Sequence, residues 1–190
     1  MQGLSYDILV WLTYRLAASF AIGIPLLLLI WACIRKEASM MRLLVIYWKV
    51  ASLLFISMLL LTDQKAMGYL TAFIAPILMV ISVWFWVDLN EELADLPPWR
   101  PLPLTVRIWR WALSCFCILA TLITFISLPC IQTTSLSQCA SWLEAPQGIH
   151  QLVASIFGFL FGGNWTEPVA AFVGYLGLLA YVVGLYNGYL

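Results

Sequence analysis

The sequence predicts an all-α membrane protein: a bundle of five transmembrane helices with a short interfacial helix in the last outer loop. Of its 190 residues, 64% are hydrophobic and 9% are charged, and the mean hydropathy is +0.97. Soluble domains carry about 25% charged residues, and a soluble fold of this length leaves about a third of its surface in water. Lipid must therefore solvate much of the chain, which we expect to be a single domain.

Apolar stretches of about 20 residues, the length that a membrane-spanning helix needs, recur along the chain. Each is apolar around most of its circumference, as burial in lipid requires. We expect transmembrane helices over residues 16–34, 43–61, 67–87, 109–128 and 168–189. Pro25 and Pro76 lie inside the first and third spans. We expect packing kinks there, since neighbouring helices can satisfy the carbonyls that a proline leaves free.

Basic residues lie mainly in the connections on one side of the predicted bundle. Arg15 and Lys65 lie on the other side. The larger set is Arg35, Lys36, Arg42, Arg100, Arg107 and Arg110. The positive-inside rule places this set in the cytoplasm. We therefore expect a lumenal or periplasmic N-terminus and a cytoplasmic C-terminus.

The outer loop, residues 129–167, contains no Lys or Arg, which fits translocation. It carries Cys130 and Cys139, on the side of the membrane where disulfides persist. We expect these two cysteines to form a disulfide that closes a short loop. Cys33, Cys115 and Cys117 lie in apolar runs, where buried thiols usually act as small hydrophobes.

Residues 150–162 of the outer loop are apolar but too short to span a bilayer, which predicts a short interfacial helix. His150, at its start, is the only histidine of the chain. It is a candidate axial ligand for a chlorophyll or a haem iron, although haem-binding bundles usually use several axial residues. Polar packing is the favoured interpretation. No cofactor is assigned from the sequence, and a bound chlorophyll or carotenoid stays open.

Lys49 is the only charged side chain well inside a predicted span. An intramembrane ionisable group is a functional candidate by default, because its burial costs several kcal/mol on most scales. Lys49 lies close enough to the end of its span for its stem to snorkel toward the interface. We favour snorkelling or a structural ion pair over an ion pathway, since the five spans contain no partner carboxylate at mid-depth.

An acidic segment follows the third span, in a cytoplasmic loop over residues 88–108. If the third helix continues past the membrane, Asp88, Glu91, Glu92 and Asp95 share one of its faces. Four carboxylates could chelate a hard cation, pair with arginines of the same loop, or dock a basic partner. Internal pairing is favoured, docking is the second interpretation, and no metal site is predicted. The prolines over residues 97–103 favour an extended, polyproline-like chain, either a spacer or a strap that a partner recognises.

The last predicted helix carries several glycines, and Gly184 and Gly188 have the spacing of a helix-contact motif. Small residues on one face let helix backbones approach closely. We expect this helix to be a contact helix. The contact could be made within the chain or with a partner.

Three segments carry a resemblance to a known family: residues 84–92 (WFWVDLNEE), residues 46–54 (IYWKVASLL) and residues 14–16 (YRL). With these the chain resembles the uncharacterised integral membrane proteins of cyanobacteria and plants grouped as domain of unknown function 3177. The resemblance covers most of helices 1–4 and does not extend beyond about residue 129. It implies a thylakoid or plasma membrane of a photosynthetic cell, and it carries over no catalytic residue.

No nucleophile–base pair, phosphate loop or metal cluster stands out, and the chain is not expected to be an enzyme. The net charge is zero, which lacks the basic surplus that nucleic-acid binding needs. We expect an accessory or assembly subunit of a larger membrane complex, photosynthetic or respiratory. The alternative is a carrier of small molecules or lipids in which Lys49 contacts an anion.

Overall fold

A computed structural model describes residues 2–86, 91–92, 95, 99–132, 137–161 and 163–187. Within them the backbone is helical apart from short connections. A π-helical turn, Ala17–Gly23, joins the first two helices, and a 3-10 turn, Leu128–Ile131, follows the fifth. The helices are α1 (Gln2–Leu16), α2 (Ile24–Arg35), α3 (Ala38–Thr62), α4 (Ala66–Trp84), α5 (Pro101–Ile126), α6 (Ser137–Phe161) and α7 (Glu167–Tyr186).

Five helical segments in the described residues are long and apolar enough to cross a bilayer. They are Tyr6–Arg35, Ala38–Thr62, Ala66–Trp84, Pro101–Ile126 and Glu167–Tyr186. The predicted fold class, an all-α bundle with five spans, is confirmed, and the chain has the character of an integral membrane protein. The helix α3 lies at the centre of the packing, in contact with α2, α4, α6 and α7, while α5 packs on α4.

The first span is part of a longer helical rod. Tyr6–Arg35 has 30 residues, which at about 1.5 Å per residue is longer than a hydrocarbon core of about 30 Å. The predicted span over residues 16–34 therefore covers only the second part of the rod. The prediction stopped at Arg15 because a charged residue ends an apolar run, although it does not end a helix. The additional part, α1, packs against α6.

Two predicted span boundaries beside the acidic loop differ from the helix ends in the structure. The third span was predicted to reach residue 87, but α4 ends at Trp84. The fourth was predicted to begin at residue 109 after an extended proline-rich chain, but α5 begins at Pro101. Prolines are tolerated in the first turn of a helix, because the first four N–H groups have no partner within the helix. Pro101 and Pro103 both lie in that turn.

The predicted interfacial helix is longer than expected. It was predicted over residues 150–162, whereas α6 runs over Ser137–Phe161. The first half of this helix contains polar residues and Pro146, so a search for apolar runs does not detect it. It can be polar because α1, and not lipid, covers it. Pro146 does not end α6. This helix is not among those apolar enough to cross a bilayer.

Candidate functional site

Tyr47 on α3 and Trp109 on α5 donate hydrogen bonds to the first span beside Pro25. We call this arrangement the proline clamp. Pro25 has no N–H, so the carbonyls of Ala21 in an α-helical pattern and of Phe20 in a π-helical pattern lose their donor. The backbone N–H of Ile24 already bonds the carbonyl of Ser19, in the π-helical pattern.

Two donors from neighbouring helices replace the missing amide. The hydroxyl of Tyr47 on α3 donates to the carbonyl of Ala21 at 2.7 Å, and the indole Nε1 of Trp109 on α5 donates to the carbonyl of Phe20 at 2.9 Å. Their rings meet edge to face, with centroids 5.0 Å apart. The backbone at Pro25 is thus held by packing and hydrogen bonds together, as an apolar environment demands, and the kink stays a prediction.

Lys49 lies two residues beyond Tyr47 on α3, at nearly the same depth. Tyr47 is fully buried, whereas Lys49 is exposed on the outer surface of the bundle. The structure therefore does not place Lys49 between helices, where the carrier hypothesis requires it.

Residues of the acidic segment are described only in part. Glu91, Glu92 and Asp95 are exposed, and Asp88 lies outside the described residues. Because α4 ends at Trp84 and a bend follows at Phe85, these carboxylates are not on a direct continuation of the third span. Whether they dock a partner stays a prediction.

Two nearby arginines have partners elsewhere among the described residues, and their pairing with the acidic segment stays a prediction. Arg100 pairs with Glu37, at the start of α3, across 3.7 Å. The guanidinium of Arg110 is buried and donates from Nη2 to the carbonyl of Val83 at 2.8 Å, and it lies 4.2 Å from the ring centre of Trp84. A carbonyl in the last turn of α4 thereby gains a cationic donor, which helps to end that helix at Trp84.

The opposite end of the bundle contains the disulfide that the sequence favoured. Cys130 and Cys139 are bonded to each other, with Cα atoms 5.8 Å apart, and both are buried. The bond ties the 3-10 turn after α5 to the first turns of α6. The hydroxyl of Tyr69 on α4 points at the carbonyl of Cys139 from 3.5 Å. We call the group formed by α1, this turn and α6 the disulfide end.

A network of aromatic and carboxylate side chains joins α1 to α6 at the disulfide end. Ser141 donates to Asp7, and the ring of Trp142 packs edge-on against Tyr14 at 5.5 Å. The other hydrogen bonds run from Trp11 Nε1 to Glu144 (2.8 Å), from Tyr14 to the Trp142 carbonyl (2.8 Å) and from Trp142 Nε1 to the Tyr6 hydroxyl (2.9 Å).

Sequence reasoning missed this network. Trp11 and Tyr14 could have served as a signal, since they lie three residues apart, close to Asp7 in the sequence.

One face of α6 changes its environment along the helix. Ser141 and Ala145 are buried, and Ser141 donates to Asp7 of α1. The same face continues at three- and four-residue steps, and there it carries large apolar side chains that are exposed. They are Ile149, Leu152, Ile156 and Phe159, with Phe159 88% exposed. We call these four residues the α6 stripe.

His150 lies beside this stripe on the side that faces α3. It is half-buried, and no hydrogen-bond partner for its buried Nδ1 lies among the described residues. A cavity of about 40 Å³ next to it is lined by Met58, Leu59, Thr62, Pro146, Ile149, Val153 and Trp165. This volume admits a small polar group but not a tetrapyrrole ring, so the cavity itself offers no room for axial ligation, the less favoured interpretation of His150.

The glycines of α7 contact α3 within the chain. A Cβ added at Gly174 would meet Leu60 at 3.1 Å, and one at Gly177 would meet Ile56 at 3.2 Å. The predicted contact helix thus packs on α3 through glycines upstream of the predicted pair. Gly184 is only half-buried, and Gly188 lies outside the described residues.

Among the described residues, no group of three His, Cys, Asp or Glu side chains could hold a metal ion. The family described as "Protein of unknown function (DUF3177)" matches residues 7–189. Neither a curated protein nor a solved structure matches the chain.

Proposed function

We propose that this chain, which belongs to the DUF3177 family of proteins of unknown function, is an accessory subunit of a larger membrane complex and has no catalysis of its own. Its proposed task is to hold an integral membrane partner against the α6 stripe. The acidic segment, with Glu91, Glu92 and Asp95 exposed, would be a second contact on the other side of the bilayer.

The observation that carries this proposal is the divided face of α6. The first half of this face is buried at Ser141 and Ala145, and Ser141 donates to Asp7 of α1, while Ile149, Leu152, Ile156 and Phe159 on its continuation are exposed. A face that accepts a helix in its first half has the spacing to accept a second helix in its other half. A partner helix at this position would extend the packing that α1 begins.

The anchoring of α6 also supports the proposal. The Cys130–Cys139 disulfide and the hydrogen bonds to α1 hold its first half. A surface that is already ordered loses little conformational entropy on binding, which favours affinity. Such rigid anchoring suits a helix that presents a docking surface.

We also propose an orientation across the membrane and a type of membrane for the protein. The positive-inside rule favours a cytoplasmic Lys36 and Arg100 and a disulfide end in the lumen or periplasm. The family resemblance implies a thylakoid or plasma membrane of a photosynthetic cell, and with it a photosynthetic or respiratory complex. A cysteine introduced at Lys36 should resist an impermeant maleimide in intact cells, and ready labelling would reverse this orientation.

Photocrosslinking in native membranes tests the docking proposal. A photoreactive amino acid replaces Phe159 of the α6 stripe, and the matched control replaces Phe172, which is 61% exposed on the bundle surface of α7. We expect one protein adduct of defined mass from position 159 and lipid adducts from position 172, identified by mass spectrometry.

Purification in a mild detergent provides the second readout. The chain should migrate with a stoichiometric partner, and Phe159→Lys should release that partner while Phe172→Lys should not. Lipid adducts alone from position 159, together with migration as a free monomer, would count against an accessory subunit.

A further inference from the structure

Arg15 lies inside the membrane-spanning rod, although the predicted first span began only after it. The rod starts in one apolar cluster with the last turn of α3, so the two run antiparallel. The hydrogen bond from Tyr47 to the carbonyl of Ala21 places these two residues at the same level. At about 1.5 Å per residue, Tyr47 is about 22 Å from the end of α3 at Thr62, and Arg15 is about 9 Å from Ala21 toward that end. Arg15 is therefore about 13 Å from the level of Thr62.

The level of Thr62 is one boundary of the hydrocarbon core. The helices α4 and α7 have 19 and 20 residues, which at about 1.5 Å per residue matches a hydrocarbon core of about 30 Å. Both cross this core beside the second half of α3: α4 follows Thr62 after a short charged turn, and the glycines of α7 pack on Ile56 and Leu60. Arg15 therefore lies near the middle of the core.

No described carboxylate pairs with Arg15. Its side chain is exposed, and neither of the ion pairs among the described residues includes it. The two carboxylates at the disulfide end accept from other donors: Asp7 accepts from Ser141, and Glu144 accepts from Trp11 Nε1 at 2.8 Å. An arginine in the hydrocarbon core is costly, and such residues normally pair with another group or face a polar cavity. Arg15 therefore calls for an anion that another molecule supplies.

The depth of Arg15 decides which anion can reach it. A lipid phosphate lies in the headgroup layer, outside the hydrocarbon core. The 13 Å or so to the level of Thr62 is more than two helical turns. This is longer than an arginine side chain, so snorkelling alone does not reach a phosphate. A carboxylate on a transmembrane helix can lie at any depth. Ala18 and Ser19, small residues that are exposed on the next turn, leave room for such a helix to approach.

We propose that Arg15 forms an ion pair with an Asp or Glu in a transmembrane helix of the partner subunit. This inference rests on the proposed function and adds the chemistry by which the partner is recognised. Guanidinium and carboxylate groups form charge-assisted hydrogen bonds, often two in parallel, and a low dielectric strengthens them. The pair neutralises a charge that the chain alone exposes to lipid, so it favours the assembled complex over the free subunit.

Removal of the charge tests this ion pair. Arg15→Gln should lower the amount of partner that copurifies in a mild detergent at least tenfold, whereas Arg15→Lys, which keeps the charge, should lower it less than threefold. Lys49→Gln is the control, because it removes another exposed cation from a spanning helix. Detergent-induced unfolding, followed by tryptophan fluorescence, should be the same for Arg15→Gln and the parent chain. An unchanged partner content in Arg15→Gln overturns the proposal.

Photocrosslinking identifies the anion. A photoreactive amino acid replaces Leu12, which is 48% exposed and lies one turn from Arg15. We expect a protein adduct in a partner helix that contains an Asp or Glu, and its replacement by Asn or Gln should release the partner as Arg15→Gln does. A crosslinked segment without a carboxylate, or phospholipid adducts alone, overturns the ion pair. A protein adduct from position 159 would then leave the proposed function intact, whereas lipid adducts alone from both positions would remove it as well.

Discussion

Around Pro25, side chains of α3 and α5 donate to backbone carbonyls of the first span. At the disulfide end, α6 and α1 bond largely through other side chains, such as Ser141 with Asp7 and Trp11 with Glu144. The proline clamp lies in the buried core with Ala21, Tyr47 and Trp109. The disulfide end is only partly buried, and Trp11 is 42% exposed there.

The two regions therefore have different roles: the proline clamp stabilises the interior of the bundle, and the disulfide end fixes the position of a helix at its surface. Each bond of the proline clamp removes the cost of a carbonyl that a proline has left without a donor. The bonds of the disulfide end instead fix a helix whose stripe remains exposed. Substitutions in the two regions should therefore have different signatures: global unfolding for the clamp and local release of α6 for the disulfide end.

Of the substitutions that test this comparison, removing the disulfide should have the largest effect on stability. The Cys130→Ala, Cys139→Ala variant should lose about 2–4 kcal/mol of stability at the disulfide end, because a cross-link restricts the unfolded chain. Hydrogen exchange, read by mass spectrometry, should accelerate in α6 and leave α3 and α4 unchanged. Cys33→Ala, at an exposed free cysteine, is the control. Equal acceleration in α3 and α6 would show that the two regions unfold as one unit.

Removing one donor of the proline clamp should have the next largest effect. Tyr47→Phe leaves the Ala21 carbonyl without its hydroxyl donor, and we expect a cost of about 1–2 kcal/mol in the free energy of unfolding. Detergent-induced unfolding followed by tryptophan fluorescence measures it. Pro25→Ala restores a backbone N–H for that carbonyl. In the Pro25→Ala background, Tyr47→Phe should therefore cost less than half as much.

Tyr69 supplies the matched control for this cycle. It is as deeply buried as Tyr47, but its hydroxyl lies 3.5 Å from the carbonyl of Cys139, which no proline has freed. Pro25→Ala should not change the cost of Tyr69→Phe. If both tyrosines respond alike to Pro25→Ala, the rescue reflects general stabilisation, and the assignment of Tyr47 to the missing amide is wrong.

The sequence predicts the five spans because lipid requires a long apolar run, and a run is visible without knowing its neighbours. It also favours the Cys130–Cys139 pair, since both cysteines lie in the outer loop, on the side of the membrane where disulfides persist. The start of α5 was misplaced because prolines were treated as breakers, although Pro101 and Pro103 lie where a helix has no use for their N–H groups.

Contacts that depend on the register of two helices could not be predicted in this way. Tyr47 and Trp109 are far apart in the chain from Ala21 and Phe20, and nothing local marks them as donors. The full length of α6 was missed for the related reason that the first half of this helix, with Ser141 and Glu144, looks like a polar loop until α1 is placed against it. Gly174 and Gly177 show the same limit: a contact helix was predicted, but α3 as its partner was not.

Lys49 provides the smallest expected effect and the sharpest contrast within one helix. Tyr47 and Lys49 lie two residues apart on α3, one fully buried and the other exposed. Because exposed substitutions usually change stability by less than about 0.5 kcal/mol, Lys49→Met should unfold at nearly the same detergent fraction as the parent chain. It should also keep the crosslink from position 159. A loss of stability comparable to that of Tyr47→Phe would mean that Lys49 makes a polar contact essential to the bundle. The outer face of α3 would then contribute to internal stability, as the proline clamp does.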